Sequence, residues 1–157
     1  MATTTHFEEC QTDPVPVFAM GPRLKGRILL AEDTRAFQRI ISVLLRRAGA
    51  DVTVVENGQL AVMLALSAAA QGRPFDLILM DIQMPLLDGY GATQVLRELK
   101  YSGPIVAVSS DGAPEACQYC LDAGCDDFIA KPIDAREIVE VVARNLRPRS
   151  NTIQPGC

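Results

Sequence analysis

The segment LILMDIQMPLLDGY, residues 77–90, decides the fold. It opens on four apolar residues, Leu77 to Met80, and turns polar at Asp81. An unbroken apolar run of strand length lacks the alternation of a half-exposed strand, so both of its faces must be covered. Asp88-Gly89 then reads as a turn and helix start, and a helical period runs from about Gly89 to Lys100 before Ser102-Gly103-Pro104 stops it. A buried strand that leads through a short loop into a helix is one unit of a parallel α/β sheet.

The same unit recurs on both sides. Upstream, Arg27–Ala31 is a short apolar run and Asp51–Val55 a β-branched one. Downstream, Ile105–Val108 and Asp127–Ala130 complete five strands. Helical periods lie between them. The first carries Phe37, Ile40, Ile41, Leu44, Leu45 and Ala48 on one face and is stopped by Gly49. The second runs from about Gln59 to Ala70. The fourth is opened by Pro114, with Cys117, Cys120 and Leu121 on one face, and the run DGAPEA before it marks this helix as short or mobile. The last presents Ile138, Val139, Val142 and Leu146. Strict alternation with short connections predicts right-handed crossovers and a doubly wound, flavodoxin-like α/β sandwich, for which the strand order is 2-1-3-4-5. Residues 1–25, with Pro14, Pro16 and Pro22, read as a tail or linker, residues 26–147 as the domain, and 148–157 as a second tail.

Bulk properties narrow the function. The chain has 157 residues, the size of one domain, and a net charge of −4. A mildly acidic chain without a Lys/Arg run is poorly matched to nucleic acid or to an anionic membrane surface. Trp is absent and aromatic residues make up 5%, too few for base-stacking platforms. The small-apolar stretch from Ala61 to Ala70 is too short to span a bilayer. Five cysteines, an odd number, without a secretory leader read as reduced thiols in a cytoplasmic setting. Cys117, Cys120 and Cys125 lack a fourth ligand at zinc spacing and read as small buried hydrophobes. The single histidine, His6, lies in the N-terminal tail, away from any site.

Ligands of such sheets bind beyond the carboxyl ends of the strands. There the first strand offers Glu32-Asp33, the third Asp81, the fourth Ser109-Ser110 and the fifth Lys131-Pro132. Taken singly, an acidic pair is a solvated turn and a lysine a surface residue. Placed together at adjacent strand ends, they make a site of three carboxylates, hydroxyls and an ammonium. Three neighbouring carboxylates repel, and a hard divalent cation such as Mg²⁺, which takes oxygen ligands, relieves the repulsion. One carboxylate then serves as nucleophile toward phosphorus. Lys131 and the Ser109 hydroxyl are placed to neutralise charge on the phosphoryl oxygens. Asp81 lies centrally on the rim, whereas Asp33 shares its turn with Glu32 in a pair suited to holding metal. Geometry therefore favours Asp81 as nucleophile over Asp33.

The segments ILLAED (28–33), LILMDIQMPLLDGY (77–90), PIVAVSS (104–110) and AGCDDFIAKPI (123–133) resemble the four signature segments of response-regulator receiver domains. The match runs in order over most of the chain. The resemblance implies Glu32 and Asp33 as the acidic pair, Asp81 as phosphoacceptor, Ser109 as switch hydroxyl, Phe128 at the aromatic switch position and Lys131 as the phosphate-contacting lysine. It also implies the backbone carbonyl of Gln83 as a Mg²⁺ ligand and a cis Lys131–Pro132 bond. The partner it implies is a histidine kinase or histidine phosphotransfer domain, with output or self-association through the face of helix 4, strand 5 and helix 5. The segments are most similar to receivers of hybrid sensor histidine kinases, and a stand-alone response regulator is the alternative. Phe37 departs from the Asn frequent in that subgroup. It falls on the core face of the first helix, so no loss of chemistry is expected. Ser109-Ser110 replaces Thr-Ala, and Gly91 replaces a charged residue.

Two other classes fit less well. A Mg²⁺-dependent aspartate-nucleophile phosphatase of the haloacid-dehalogenase type places its nucleophile after the first strand in an Asp-x-Asp pattern. Here Asp81 follows the third strand, with Gln83 two residues on. A nucleotide or flavin module would show a glycine-rich phosphate loop, and none follows a strand. Turnover of a free substrate is accordingly not expected of this domain.

Overall fold

The computed structural model describes residues 21–146. Five strands and five helices alternate: β1 (Arg27–Ala31), α1 (Arg35–Arg47), β2 (Asp51–Val55), α2 (Gly58–Ala70), β3 (Leu77–Asp81), α3 (Gly89–Glu98), β4 (Ile105–Ser109), α4 (Pro114–Ala123), β5 (Asp127–Ala130) and α5 (Ala135–Asn145). All strand pairs are parallel, in the order β2-β1-β3-β4-β5. The expected flavodoxin-like topology is the one observed. Residues 1–20 and 147–157, which hold His6, Cys10 and Cys157 and most of the two segments read as tails, lie outside the described residues.

The central strands explain the topology. Every residue of β3 and β4 is buried, and successive side chains enter opposite layers. Leu77 and Leu79, with Val106 and Val108 of β4, meet Ile41 and Leu45 of α1 and Ile138 and Val142 of α5. Ile78 and Met80, with Ile105 and Ala107, meet Ala61 and Ala65 of α2, Ala92 and Leu96 of α3, and Cys120 of α4. A sheet with helices on both faces buries both sets at once.

Packing differs from periodicity in several places. Leu24, read as tail, is buried in the α1/α5 layer, and its N–H donates to Ala48 O. On α1, Ile40 is half exposed while Ser42 is buried, because the inward stripe runs through Ile41 and Leu45. On α4, the inward stripe is Ala116, Cys120 and Ala123, and Leu121 faces solvent. The i, i+4, i+7 spacing of those three small residues lets the helix lie close to the sheet. Helix α4 spans ten residues, as many as α3. Helix α3 ends at Glu98, short of the expected Lys100, because Lys100 takes a left-handed conformation at φ 70°. Tyr101 N–H then bonds back to Leu96 O and Lys100 N–H to Arg97 O, closing the helix end.

Candidate functional site

The carboxyl rim is built by backbone bonds between strand ends. Glu32 N–H donates to Val55 O at 3.0 Å, Ile82 N–H to Val108 O at 2.9 Å, and Lys131 N–H to Ser109 O at 2.7 Å. These carry the register of the sheet one residue past the strands, and they fix the positions of Glu32, Asp81, Ser109 and Lys131. Helix α3 comes close beneath. A Cβ on Gly89 would lie 2.4 Å from Asp81 O and 2.8 Å from the Ile82 Cα. Only glycine permits that approach. Asp88 caps α3 by accepting from Gly91 N–H at 2.8 Å, as its turn-and-start reading anticipates.

The carboxylates of Glu32, Asp33 and Asp81 offer oxygens within 4.8 Å of one another. Glu32 and Asp81 are buried, and Asp33 is exposed at the mouth. Lys131 Nζ lies 3.1 Å from Glu32 Oε2 and 3.6 Å from Asp81 Oδ1. Asp81 Oδ1 also accepts from Gln83 N–H at 3.3 Å. Burial and the adjacent Glu32 charge push the Asp81 carboxyl up to about 7, against the opposing pull of Lys131 and the Gln83 N–H. The Glu32 side chain accepts from Thr34 N–H through Oε1, and Gln38 Nε2 donates to its backbone carbonyl. Its Oε2 is fully buried and has no hydrogen bond, only the ion-pair contact with Lys131. A buried carboxylate oxygen without a hydrogen bond, beside two further carboxylates and no sulfur or imidazole donor, fits a hard cation held by oxygens.

Ser109 is buried, with its Oγ accepting from Asp111 N–H at 3.0 Å. Ser110 is exposed, and its hydroxyl donates to Gln83 Oε1 at 3.4 Å. The Lys131–Pro132 bond is cis, as the resemblance implies. Phe128 is half-buried on β5 against the layer that holds Ala107 and Cys120, two strands from β3 and its Asp81. The structure thus gathers Glu32, Asp33, Asp81 and Lys131 at one cleft and sets Ser109 on its adjoining wall.

Phe37 is the residue with a contact that reading the sequence misses. It packs against the α1/α5 layer, as expected, but its ring also lies 4.1 Å from Lys131 Nζ and walls the cleft beside Asp33, Asp81 and Pro132. The signal was its spacing. Phe37 lies one helical turn after Asp33, and the first turn of a helix that starts at the rim still faces the rim.

The fold and this rim define a doubly wound α/β domain with an acidic, lysine-bearing site at the carboxyl ends of its strands. The family model for the response regulator receiver domain matches residues 28–143, and the chain belongs to that family. It is a receiver domain of two-component systems. It is 41% identical over 120 residues to the two-component response regulator ORR41 of Oryza sativa subsp. japonica, covering 75% of this chain and 92% of that one. It is 34% identical over 154 residues to histidine kinase 1 of Arabidopsis thaliana, covering 78% of this chain but 13% of the kinase. The receiver domain of the sensor histidine kinase PA1611 from Pseudomonas aeruginosa, solved with a magnesium ion coordinated in its active-site cleft, superposes with a TM-score of 0.67 at 35% identity, covering 78% of this chain and 98% of that one. Among the described residues no helix is long and apolar enough to cross a membrane.

Proposed function

We propose that Asp81 accepts a phosphoryl group from the phosphohistidine of a histidine kinase or histidine phosphotransfer domain, in a reaction that requires Mg²⁺. The observation that carries this reading is the position of the Asp81 carboxylate. It is buried at the end of the central strand, within 4.8 Å of two further carboxylates and 3.6 Å from a lysine ammonium. Glu32, Asp33, Asp81 and the Gln83 carbonyl are the residues that would hold the cation, as the magnesium in the PA1611 cleft supports. The bound cation supplies positive charge against the phosphoryl oxygens and relieves the repulsion among the carboxylates.

An Asp81 carboxylate oxygen attacks phosphorus. The P–N bond to the donor imidazole breaks, and its electron pair returns to the departing nitrogen, which takes up a proton. Lys131 donates to a phosphoryl oxygen, and Ser109 turns its hydroxyl toward another. Such transfer needs positioning and charge neutralisation more than covalent help from the protein. Withdrawal of Ser109 from the Asp111 N–H and inward rotation of Phe128 would bias the face of α4, β5 and α5 toward a second state, the output or self-association surface. Hydrolysis resets the site, and no free substrate turns over. The setting is cytoplasmic, with no contact to nucleic acid or membrane.

The likeness to histidine kinases, of which the chain spans a small fraction, supports a module of a hybrid sensor kinase. The rice relative, spanned over 92% of its length, supports a stand-alone response regulator as the second reading.

The test is the intact mass after incubation with Mg²⁺ and acetyl phosphate, beside Asp81→Ala. A single phosphoryl adduct, absent in the variant and without Mg²⁺, is the expected result. No adduct on a protein shown separately to bind Mg²⁺ would overturn phosphoacceptance under these conditions. Sustained hydrolysis of an aryl phosphate would favour the phosphatase class instead.

A further inference from the structure

The Lys131 side chain is only 12% exposed, and its ammonium lies 3.1 Å from Glu32 Oε2, 3.6 Å from Asp81 Oδ1 and 4.1 Å from the centroid of the Phe37 ring. A lysine ammonium is a compact, strongly hydrated charge on a flexible four-carbon stem, with three donor directions to satisfy. Two carboxylates take up the inner side. The half-buried ring of Phe37, which walls the cleft beside Asp33, Asp81 and Pro132, lies against the ammonium as well.

We propose that Phe37 is a positioning residue for phosphoryl transfer: its ring closes the solvent side of the Lys131 ammonium and holds that charge at the Glu32–Asp81 pair. This inference rests on the reading of Asp81 as acceptor and Lys131 as its phosphate-contacting partner.

The chemistry of the ring suits the task. The negative face of an aromatic ring attracts a cation without carrying net charge. A third carboxylate at this place would lock the lysine and repel an incoming phosphoryl group. An amide oxygen would accept one of the ammonium's protons and compete with a phosphoryl oxygen for it. Phe37 does neither. Its attraction also persists when the two carboxylates turn to other partners, so Lys131 stays at the rim in each state of the site. Excluding water from the ammonium strengthens its remaining interactions, because they act across a less polarisable medium.

Packing alone is the rival account, since Phe37 also touches the α1/α5 layer. Three variants of the full chain separate the two: Phe37→Leu and Phe37→Met keep apolar bulk and lose the π face, and Phe37→Tyr keeps both. The readouts are the initial rate of adduct formation from acetyl phosphate with Mg²⁺, the Mg²⁺ affinity from calorimetric titration, the thermal midpoint, and the NMR shift of the Lys131 ε-methylene protons. In the unaltered chain those protons are expected upfield, shifted by the ring current. In Phe37→Leu the upfield shift is lost and the rate falls about tenfold, the scale of a desolvated cation–π contact. Phe37→Tyr keeps both within about twofold on the same ground. Mg²⁺ affinity stays unchanged throughout. Should Phe37→Leu lower the midpoint sharply, Phe37→Met carries the comparison.

A ring-current shift missing from the unaltered chain overturns the proposal. So does a Leu or Met variant that reacts at the original rate, or a Tyr variant as slow as Leu. Failure of the unaltered chain to take up phosphoryl groups at all is a different result. It overturns the function proposed for Asp81, and this inference falls with it, whereas an active chain indifferent to Phe37 overturns this inference alone.

Discussion

Asp81 is held in a state that disfavours its own ionisation. Burial and the neighbouring Glu32 raise its carboxyl from 3.8 to about 7. The folded chain therefore binds this proton more tightly than the unfolded chain does. Its stabilising contribution is complete below the unfolded value and is lost as pH rises through about 7. In EDTA, Asp81→Asn should therefore be more stable than the unaltered protein at about pH 8, by on the order of a few kcal/mol, with the gap clearly narrower at about pH 5. Urea unfolding at the two pH values measures it, and a gap that does not change with pH would refute the account. The charged members of this site were legible in the sequence because each directly follows an apolar strand, and strand ends are where such sheets bind ligands. Phe37 was not, because an apolar residue on a helix face satisfies the core reading completely. Its second contact, with Lys131, shows only in the one-turn spacing from Asp33, a signal that the core periodicity covers.

At the scale of elements, helix α3 shows how a local sequence serves the site. Its first turn contains two glycines with opposite physical roles. Gly89 permits contact with the backbone of Asp81 and Ile82, where an added methyl would meet main-chain atoms that cannot move without displacing the nucleophile candidate. Gly91 would place a methyl 2.8 Å from Leu87 Cδ1, the far end of a flexible side chain. Gly89→Ala should cost roughly 2 kcal/mol or more through overpacking. Gly91→Ala should lie between neutral and a gain of about 1 kcal/mol from helix propensity. Denaturant midpoints for the two variants decide this, and similar losses at both positions would contradict it. The sequence showed this helix and its Asp88 cap. It did not show that Gly89 is a spacer, since a glycine after Asp reads equally well as turn chemistry. The end of α3 was missed for a related reason. Nothing in apolar spacing announces a left-handed Lys100, nor the acceptors that the Arg97 guanidinium finds beside it. Those include Gly124 O, Tyr101 O and Gly103 O, together with the Asp126 carboxylate. Three of these contacts knit α3 to segments that border β4 and β5.

For the whole molecule, the two apolar layers assign the cysteines. Cys120 and Cys125 are buried, and burial drives the Cys125 thiol up to about 11 and raises that of Cys120. Thiols raised in this way are poor nucleophiles. In the native protein, peptide mapping after a brief iodoacetamide pulse should find Cys117 labelled well before Cys120 and Cys125, and early labelling of Cys125 would show that the α3/α4 layer opens. Strand order had a different status from burial. Apolar runs identified the strands, but the sequence 2-1-3-4-5 followed from the rule for this fold class, because no local pattern reports which strand lies beside which.

That order has a thermodynamic consequence. Glu32, Asp33 and Asp81 extend from β1 and β3, which are neighbours in the sheet, while Lys131 reaches them from β5, two strands beyond β3. A cation held by all three carboxylates joins parts of the chain that separate completely on unfolding, so it binds the folded state alone. Mg²⁺ at ten times its dissociation constant should therefore stabilise the protein by about 1.4 kcal/mol. The gain should be larger at about pH 8 than at about pH 5, because a cation binds the ionised Asp81 and at the lower pH must displace its proton. Asp33→Asn, which changes an exposed candidate ligand and leaves the buried pair in place, should reduce the gain without lowering stability in EDTA. Thermal melts across a Mg²⁺ titration at both pH values provide the measurement. A stabilisation that persisted undiminished in Asp33→Asn would place the cation elsewhere on this acidic chain.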